Sequence, residues 1–231
     1  AEAVHHARHR TAFQKTLIDQ PLMTRVLADL SLDAAGAAAL SFRLARSFDE
    51  AASSRREASF ARAMTPVVKY WVTKTAPALL YEAMECLGGN GYVEESALAR
   101  HYREAPVNAI WEGSGNVMAL DVLRVLRRAP DLFNEVLDGI DEDLGPVSSA
   151  TLTVIRAAMD VALSDEGSAR ILTEQLALAA AAAELTRLGA GRIADAFVET
   201  RLGGQWRGTY GMLGARHDAR LIVDTLYPDM G

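Results

Sequence analysis

Residues 108–128 read NAIWEGSGNVMALDVLRVLRR. The second half is apolar at Val117, Met118, Leu120, Val122, Leu123, Val125 and Leu126, with Asp121, Arg124 and Arg128 as a polar stripe at helical spacing. That pattern predicts a helix buried on most sides, in a bundle or against another subunit. The same period runs through nearly the whole chain, and no stretch alternates long enough to demand a strand, so an all-α protein is expected. Ahead of this helix stands Glu112, between Trp111 and Gly113 and before a Gly-Ser-Gly-Asn turn. Ser114 or Asn116 can cap the helix. The amides of its first turn, at the positive end of the helix dipole, suit a phosphate or other anion. Val107, Ile110 and Trp111 make an apolar neighbourhood that would raise the proton affinity of Glu112 and suit it to act as a general base. Taken alone, the stretch reads first as a capped helix start with a solvated acid.

Outward from it, a first helix is expected over residues 2–18, a second from Pro21 to about Asp49, and a third from about Arg55 to Cys86. Proline suits the first helical turn, and Ser53 or Ser54 can cap the third helix. Pro66 and Pro77 inside that helix predict a kink or a split. It ends at ECLGGNGY, residues 85–92, whose glycines supply the left-handed conformation of a helix C-terminus. The free amides of such a turn can also meet a phosphate, although a plain cap and turn is the reading that the local pattern favours. Pro130, Gly139, Gly145 and several Asp mark residues 129–145 as a boundary holding a short helix. Further helices are expected over residues 147–163 and 166–201, the second rich in Ala, then a glycine-rich turn LGGQWRGTYG at 202–211 and a last short helix before Pro228.

Composition bounds the function. The chain has 231 residues and a net charge of −6. Residues 1–131 hold 16 Lys and Arg against 15 Asp and Glu, whereas residues 132–231 hold 8 Arg, no Lys and 15 acids, a net −7. An acidic segment repels phosphate backbones, which argues against duplex nucleic acid as a partner of the second part. No apolar run reads as a signal peptide or as a membrane span. Cys86 is the only cysteine, so an internal disulfide and a cysteine-based zinc site are excluded, and a reducing cytoplasm is the expected location. His5 and His9 lie one turn apart, but nothing completes a metal site with them, so no metal is expected. The opening AEAVHHARHRTAF has neither an initiator Met nor a cap before its helical pattern, as in a piece cut from a longer polypeptide.

Three stretches occur in order: ARHRTAFQKTLIDQPLMTRVLADL, ECLGGNGYVEES and RHYREAPVNAIWEGSGNVMALDVLRVL. Together they resemble the C-terminal helical domain of the acyl-CoA dehydrogenase flavoproteins, over about residues 1–128. The Trp-Glu-Gly-Ser-Gly-Asn wording and the start of the glycine motif at Glu85 are most similar to the AidB-like branch, whose members are linked to the response to DNA alkylation and carry an extra helical region. The resemblance implies a four-helix bundle over residues 1–128 for FAD binding and oligomerisation, then an additional helical region over 129–231.

It also implies roles. Arg10 and Phe13 stand for an Arg-x-x-Phe motif that reaches the FAD of a neighbouring subunit. Gln14 replaces a frequent Gly after it, and Pro21 replaces an expected FAD-contacting Gln. Glu85, Gly88 and Gly89 stand for a Gln-x-x-Gly-Gly motif along the FAD diphosphate and adenosine. An acid in place of the amide would repel a diphosphate unless it points away or is protonated. Glu112 stands for the base that takes the α-proton of an acyl-CoA while the β-hydride moves to flavin, Gly113 for a substrate contact, and Ser114 and Asn116 for FAD contacts. The implied partners are an acyl-CoA thioester, a homodimer or homotetramer, and an electron-transfer flavoprotein. The N-terminal helical and middle β domains of the family are not in these residues, so the chain alone is expected to be inactive. Two other readings stay open: a flavoprotein of the alkylation response, and a helical oligomerisation module without activity.

Overall fold

A computed structural model describes residues 1–203 and 217–228. Helix follows helix: α1 (Glu2–His9), α2 (Pro21–Glu50), α3 (Arg55–Glu85), the single turn α4 (Gly89–Tyr92), α5 (Ala97–Asn108), α6 (Gly115–Arg128), α7 (Pro130–Leu144), α8 (Ser148–Ser164), α9 (Ala169–Arg187), α10 (Arg192–Phe197) and α11 (Ala219–Leu226). The described residues are all-α apart from one two-residue hairpin. α3 is the hub, touching α2, α5 and α6 of the first part and α7 and α9 of the second. Pro66 and Pro77 do not split it. Packing on several sides holds the helical path that two missing N–H donors would otherwise loosen. Ser54 caps α3 by accepting from the Glu57 amide.

The first helix is half as long as its pattern suggests. It stops at His9, and residues 11–16 form a small antiparallel hairpin, Thr11 opposite Thr16 and Ala12 opposite Lys15. The two loop residues, Phe13 and Gln14, have φ of 52° and 64°. Two central residues at positive φ make the turn that matches strand twist, a place where Asn-Gly is favoured. Gly in place of Gln14 removes the steric penalty of the left-handed region. Gln14→Gly is therefore expected to stabilise the protein by about 0.5–1 kcal/mol after the entropy of the freer residue is subtracted. The midpoint of urea denaturation should rise; a fall would mean that the Gln14 side chain holds the turn.

The second part packs on the first with a continuous apolar core. The helix within residues 129–145 is not short: α7 occupies all but the two end residues and buries Phe133, Val136, Leu137, Ile140 and Leu144. The Asp residues that suggested a linker lie on its wet face. Pro130–Ser164 is long and apolar enough by composition to cross a membrane. Gly145, at φ 61°, breaks it into helices of 15 and 17 residues, shorter than the roughly 20 that a span needs. The helix expected over 166–201 breaks after Arg187 at Gly189 and Gly191, both at positive φ. Most of the expected turn at 202–211 lies outside the described residues.

Phe197 anchors the second part. Its ring is fully buried, edge-on to Trp71 at 6.3 Å between centroids, and it fills the space above Gly36, where a Cβ would stand 2.6 Å from Cε2. One turn on, Arg201 reaches Asp29 at 2.7 Å and Asp33 at 2.9 Å on α2, with all three side chains buried.

Candidate active site

Glu112 lies in the connection between α5 and α6. Its φ is 54° and that of Gly113 is 114°. A positive φ is uncommon for a residue with a Cβ and persists only where the surroundings impose it. Here α3 imposes it. Lys69 extends its ammonium to the carbonyl oxygens of Trp111, at 2.7 Å, and Gly113, clamping the backbone on both sides of Glu112. Gly113 cannot be another residue without strain, since its φ of 114° is one that side chains rarely adopt, and an added Cβ would also displace the Met118 methyl.

The apolar neighbours named in the sequence do not cover Glu112. Val107, Ile110 and Trp111 are 41%, 65% and 58% exposed. The connection is held to the bundle by its backbone, through Lys69, so its side chains face outward. The apolar setting comes instead from a groove of about 650 Å³ that Glu112 borders, walled by Phe48, Ala58, Ala61, Pro66 and Met118. Arg62 and Asp121 form its polar edge, paired at 3.0 Å. The Arg62 hydrogen bond, reinforced by the charges of Arg62 and Arg124, holds the Asp121 carboxyl below its usual range.

α6 buries one face only: Ala119, Val122, Leu123, Val125 and Leu126 face the core, while Val117 and Leu120 are 52% and 40% exposed. Ser114 occupies its cap position but makes no capping bond. The Asn116 side-chain oxygen accepts from Arg170 Nε at 2.8 Å instead.

A second locus forms where α1 and α3 end. Arg10, His6, Leu17, Cys86, Gly88, Gly89 and Asn90 line a cleft of about 330 Å³. Gly88 has φ 59°, and an added Cβ on Gly88 or Gly89 would meet nothing within 4 Å, so the backbone there faces open space. Burial, with Arg10 and His5 nearby, pushes the His6 imidazolium toward its neutral form. Burial also pushes the Cys86 thiol up to about 12, aided by Glu82 and Glu85, so Cys86 is an inert wall. Glu85 is exposed and does not line the cleft, although its charge still reaches Cys86 in the wall. Gly91 is the closely packed glycine of the motif: a Cβ there would strike the Met84 carbonyl. Phe13 is 90% exposed at the hairpin tip, away from the cleft lining. Among the described residues no group of three metal-ligating side chains exists. Arg10, Gly88 and Gly89 thus meet in one cleft, and Glu112 borders a different cavity.

A family model described as the acyl-CoA dehydrogenase C-terminal domain matches residues 1–127. The chain belongs to the acyl-CoA dehydrogenase family. It is 40% identical over 200 residues to the putative acyl-CoA dehydrogenase AidB of Escherichia coli, covering 87% of this chain and 37% of that one. It is 42% identical over 123 residues, 52% of this chain and 20% of the relative, to acyl-CoA dehydrogenase family member 11 of Caenorhabditis elegans. The solved structure of Caenorhabditis elegans ACDH-11 in complex with C11-CoA superposes over 89% of this chain and 40% of that chain with a TM-score of 0.72 and 26% identity. The chain therefore spans well under half the length of these family members.

Sequence reading missed Lys69 and Arg170. Lys69 is the one charge within PVVKYW, a signal for a cation held at a specific place. Nothing local distinguishes Arg170 on α9. Lys69→Met keeps the aliphatic stem and removes both bonds to the turn. It is expected to destabilise the protein by about 1–2 kcal/mol and to speed amide exchange at residues 112–114, read by exchange mass spectrometry, with α3 itself unaffected. Unchanged exchange there would mean that the turn holds its own shape.

Proposed function

We propose that this chain supplies the C-terminal helical part of an FAD-dependent acyl-CoA dehydrogenase-like oxidoreductase, in which Glu112 is the base. The observation that carries this reading is the strained, Lys69-clamped placement of a carboxylate at the border of an apolar groove. An acyl chain fits the groove, and a thioester at its mouth would bring its α-carbon to Glu112. Removing that weakly acidic proton calls for a positioned carboxylate beside a dry pocket. Glu112 takes the α-proton, and the Gly113 backbone packs against the substrate.

The residues present fit FAD. A cation, Arg10, and the open backbone of Gly88 and Gly89 line a cleft with no carboxylate in its wall, as an anionic diphosphate needs. Arg10, Gly88 and Gly89 would hold the FAD of a neighbouring subunit there, with Phe13 at the hairpin tip, whereas Ser114 and Asn116, which do not line this cleft, would meet the chain's own FAD from the start of α6. Glu85, exposed and outside the cleft lining, would not face the diphosphate directly. A bound FAD would supply the acceptor for the β-hydride as the carbon–carbon double bond forms, with an electron-transfer flavoprotein as the proposed reoxidant.

On this reading residues 1–231 are inactive alone, because the groove is open where Glu112 is exposed, and a second copy or further domains must close it. Anaerobic addition of acyl-CoA thioesters to the full flavoprotein tests the reading: the flavin band should bleach. A flavin that no acyl-CoA reduces would overturn it.

A further inference from the structure

The groove beside Glu112 has a direction and a length. Lys69 holds the carbonyls of Trp111 and Gly113, and further along the pair Arg62 pairs with Asp121, so α6 runs antiparallel to α3 beside it. The α3 side chains in its wall therefore lead from Lys69, level with Glu112, back through Pro66 and Ala61 to Ala58. At that far end the last turn of α2 contributes Phe48. The two ends differ in chemistry. An ammonium and a carboxylate stand at one, and alanine and phenylalanine at the other. Between them Thr65 spends its hydroxyl on the Ala61 carbonyl, at 2.6 Å, and the charges of Arg62 and Asp121 neutralise each other along one edge. A molecule with one polar head and one apolar tail matches this order. At about 1.5 Å per helical residue, the step from Lys69 back to Ala58 is about 16 Å.

We propose that this groove measures the acyl chain, with Phe48 and Ala58 as the specificity-determining residues at its far end, and that the substrate class is a straight, saturated acyl-CoA of medium to long chain. An extended alkyl chain advances about 1.25 Å per carbon, from bonds of about 1.5 Å at about 111°, so about 16 Å holds roughly a dozen carbons. Alanine at position 58 leaves room for the tail, and the Phe48 ring is the bulk that it meets next. This rests on the reading of Glu112 as the base, which fixes the thioester at the Lys69 end.

The test is anaerobic flavin reduction in the full flavoprotein by straight-chain acyl-CoA thioesters from butyryl to stearoyl, read as the second-order rate constant for each. The constant should rise about threefold per added methylene, as each leaves water for the groove, and should level at roughly a dozen carbons. Ala58→Leu, compatible with a helix, fills the far end and should bring the break about two or three carbons earlier. Phe48→Ala opens that end and should carry the break to longer chains. Damage to the fold would lower the constants for all chain lengths together, whereas opposite shifts of the break report on the groove. A rate constant indifferent to chain length, or a break that neither substitution moves, would overturn the inference while Glu112 stands as the base. Full flavoprotein that no acyl-CoA reduces would overturn the reading of Glu112, and this inference with it.

Discussion

Glu112→Gln is expected to slow acyl-CoA-driven flavin reduction in the full flavoprotein on the order of 10²–10⁴-fold, the usual contribution of a positioned general base. The substitution is nearly isosteric and carries the same penalty at a φ of 54°, so the turn, the Lys69 clamp and the fold should survive it. The loss should fall on the rate constant for reduction at saturating acyl-CoA, with little change in the concentration that saturates, because the carboxylate acts on the proton in transit. Anaerobic stopped-flow absorbance reads both. Reduction at the wild-type rate would show that another group takes the proton and would leave Glu112 as a strained but spectator residue.

The second large effect concerns stability. Arg201 is 2% exposed in its side chain and stands 2.7 Å from Asp29 and 2.9 Å from Asp33, which are equally buried. It also donates to the Asp29 backbone oxygen and packs over the Phe197 ring at 5.5 Å. Arg201→Met fills similar space but takes the guanidinium away from two buried carboxylates. Asp29 and Asp33 each keep other interactions, so what is lost is the buried charge-assisted bonding that Arg201 supplies. A loss of about 1.5–3 kcal/mol is expected from denaturant unfolding. Because α10 and the turn after it are what this cluster fastens to α2, their amides should lose protection first. A loss under about 1 kcal/mol would mean that the carboxylates find water or other donors when the arginine goes.

Helical period was legible throughout. It set α2 within a residue of its bounds and placed α6, although α6 buries one face rather than most of its sides, since Val117 and Leu120 stay exposed. Its failures have one kind of cause. α1 stops at His9 because the chain must turn through Phe13 and Gln14, and neither is a residue that announces a left-handed turn. α7 was hidden by its Asp residues, which are compatible with the wet side of a helix once Phe133 and Ile140 have a core to enter. Pro66 and Pro77 were read by local rules that packing around α3 overrides.

The candidate site divides in the same way. Glu112, the Gly113 turn and the Gly88–Gly89 bend could be picked out from residue type and order, since glycines and a lone acid beside them constrain the backbone chemically wherever they fall. That Glu112 borders the groove beside Phe48 and Met118, that Arg10 shares a cleft with Gly88, and that Glu85 is left out of its lining are consequences of packing between elements tens of residues apart. Lys69 and Arg170 are the plainest cases. The first lies 42 residues from the carbonyl it clamps and the second 54 from the amide it orients. Local spacing carries information only about neighbours on one helix or strand, so an all-α family domain was determined by sequence, whereas the partners that hold its site in shape were decided by the tertiary fold.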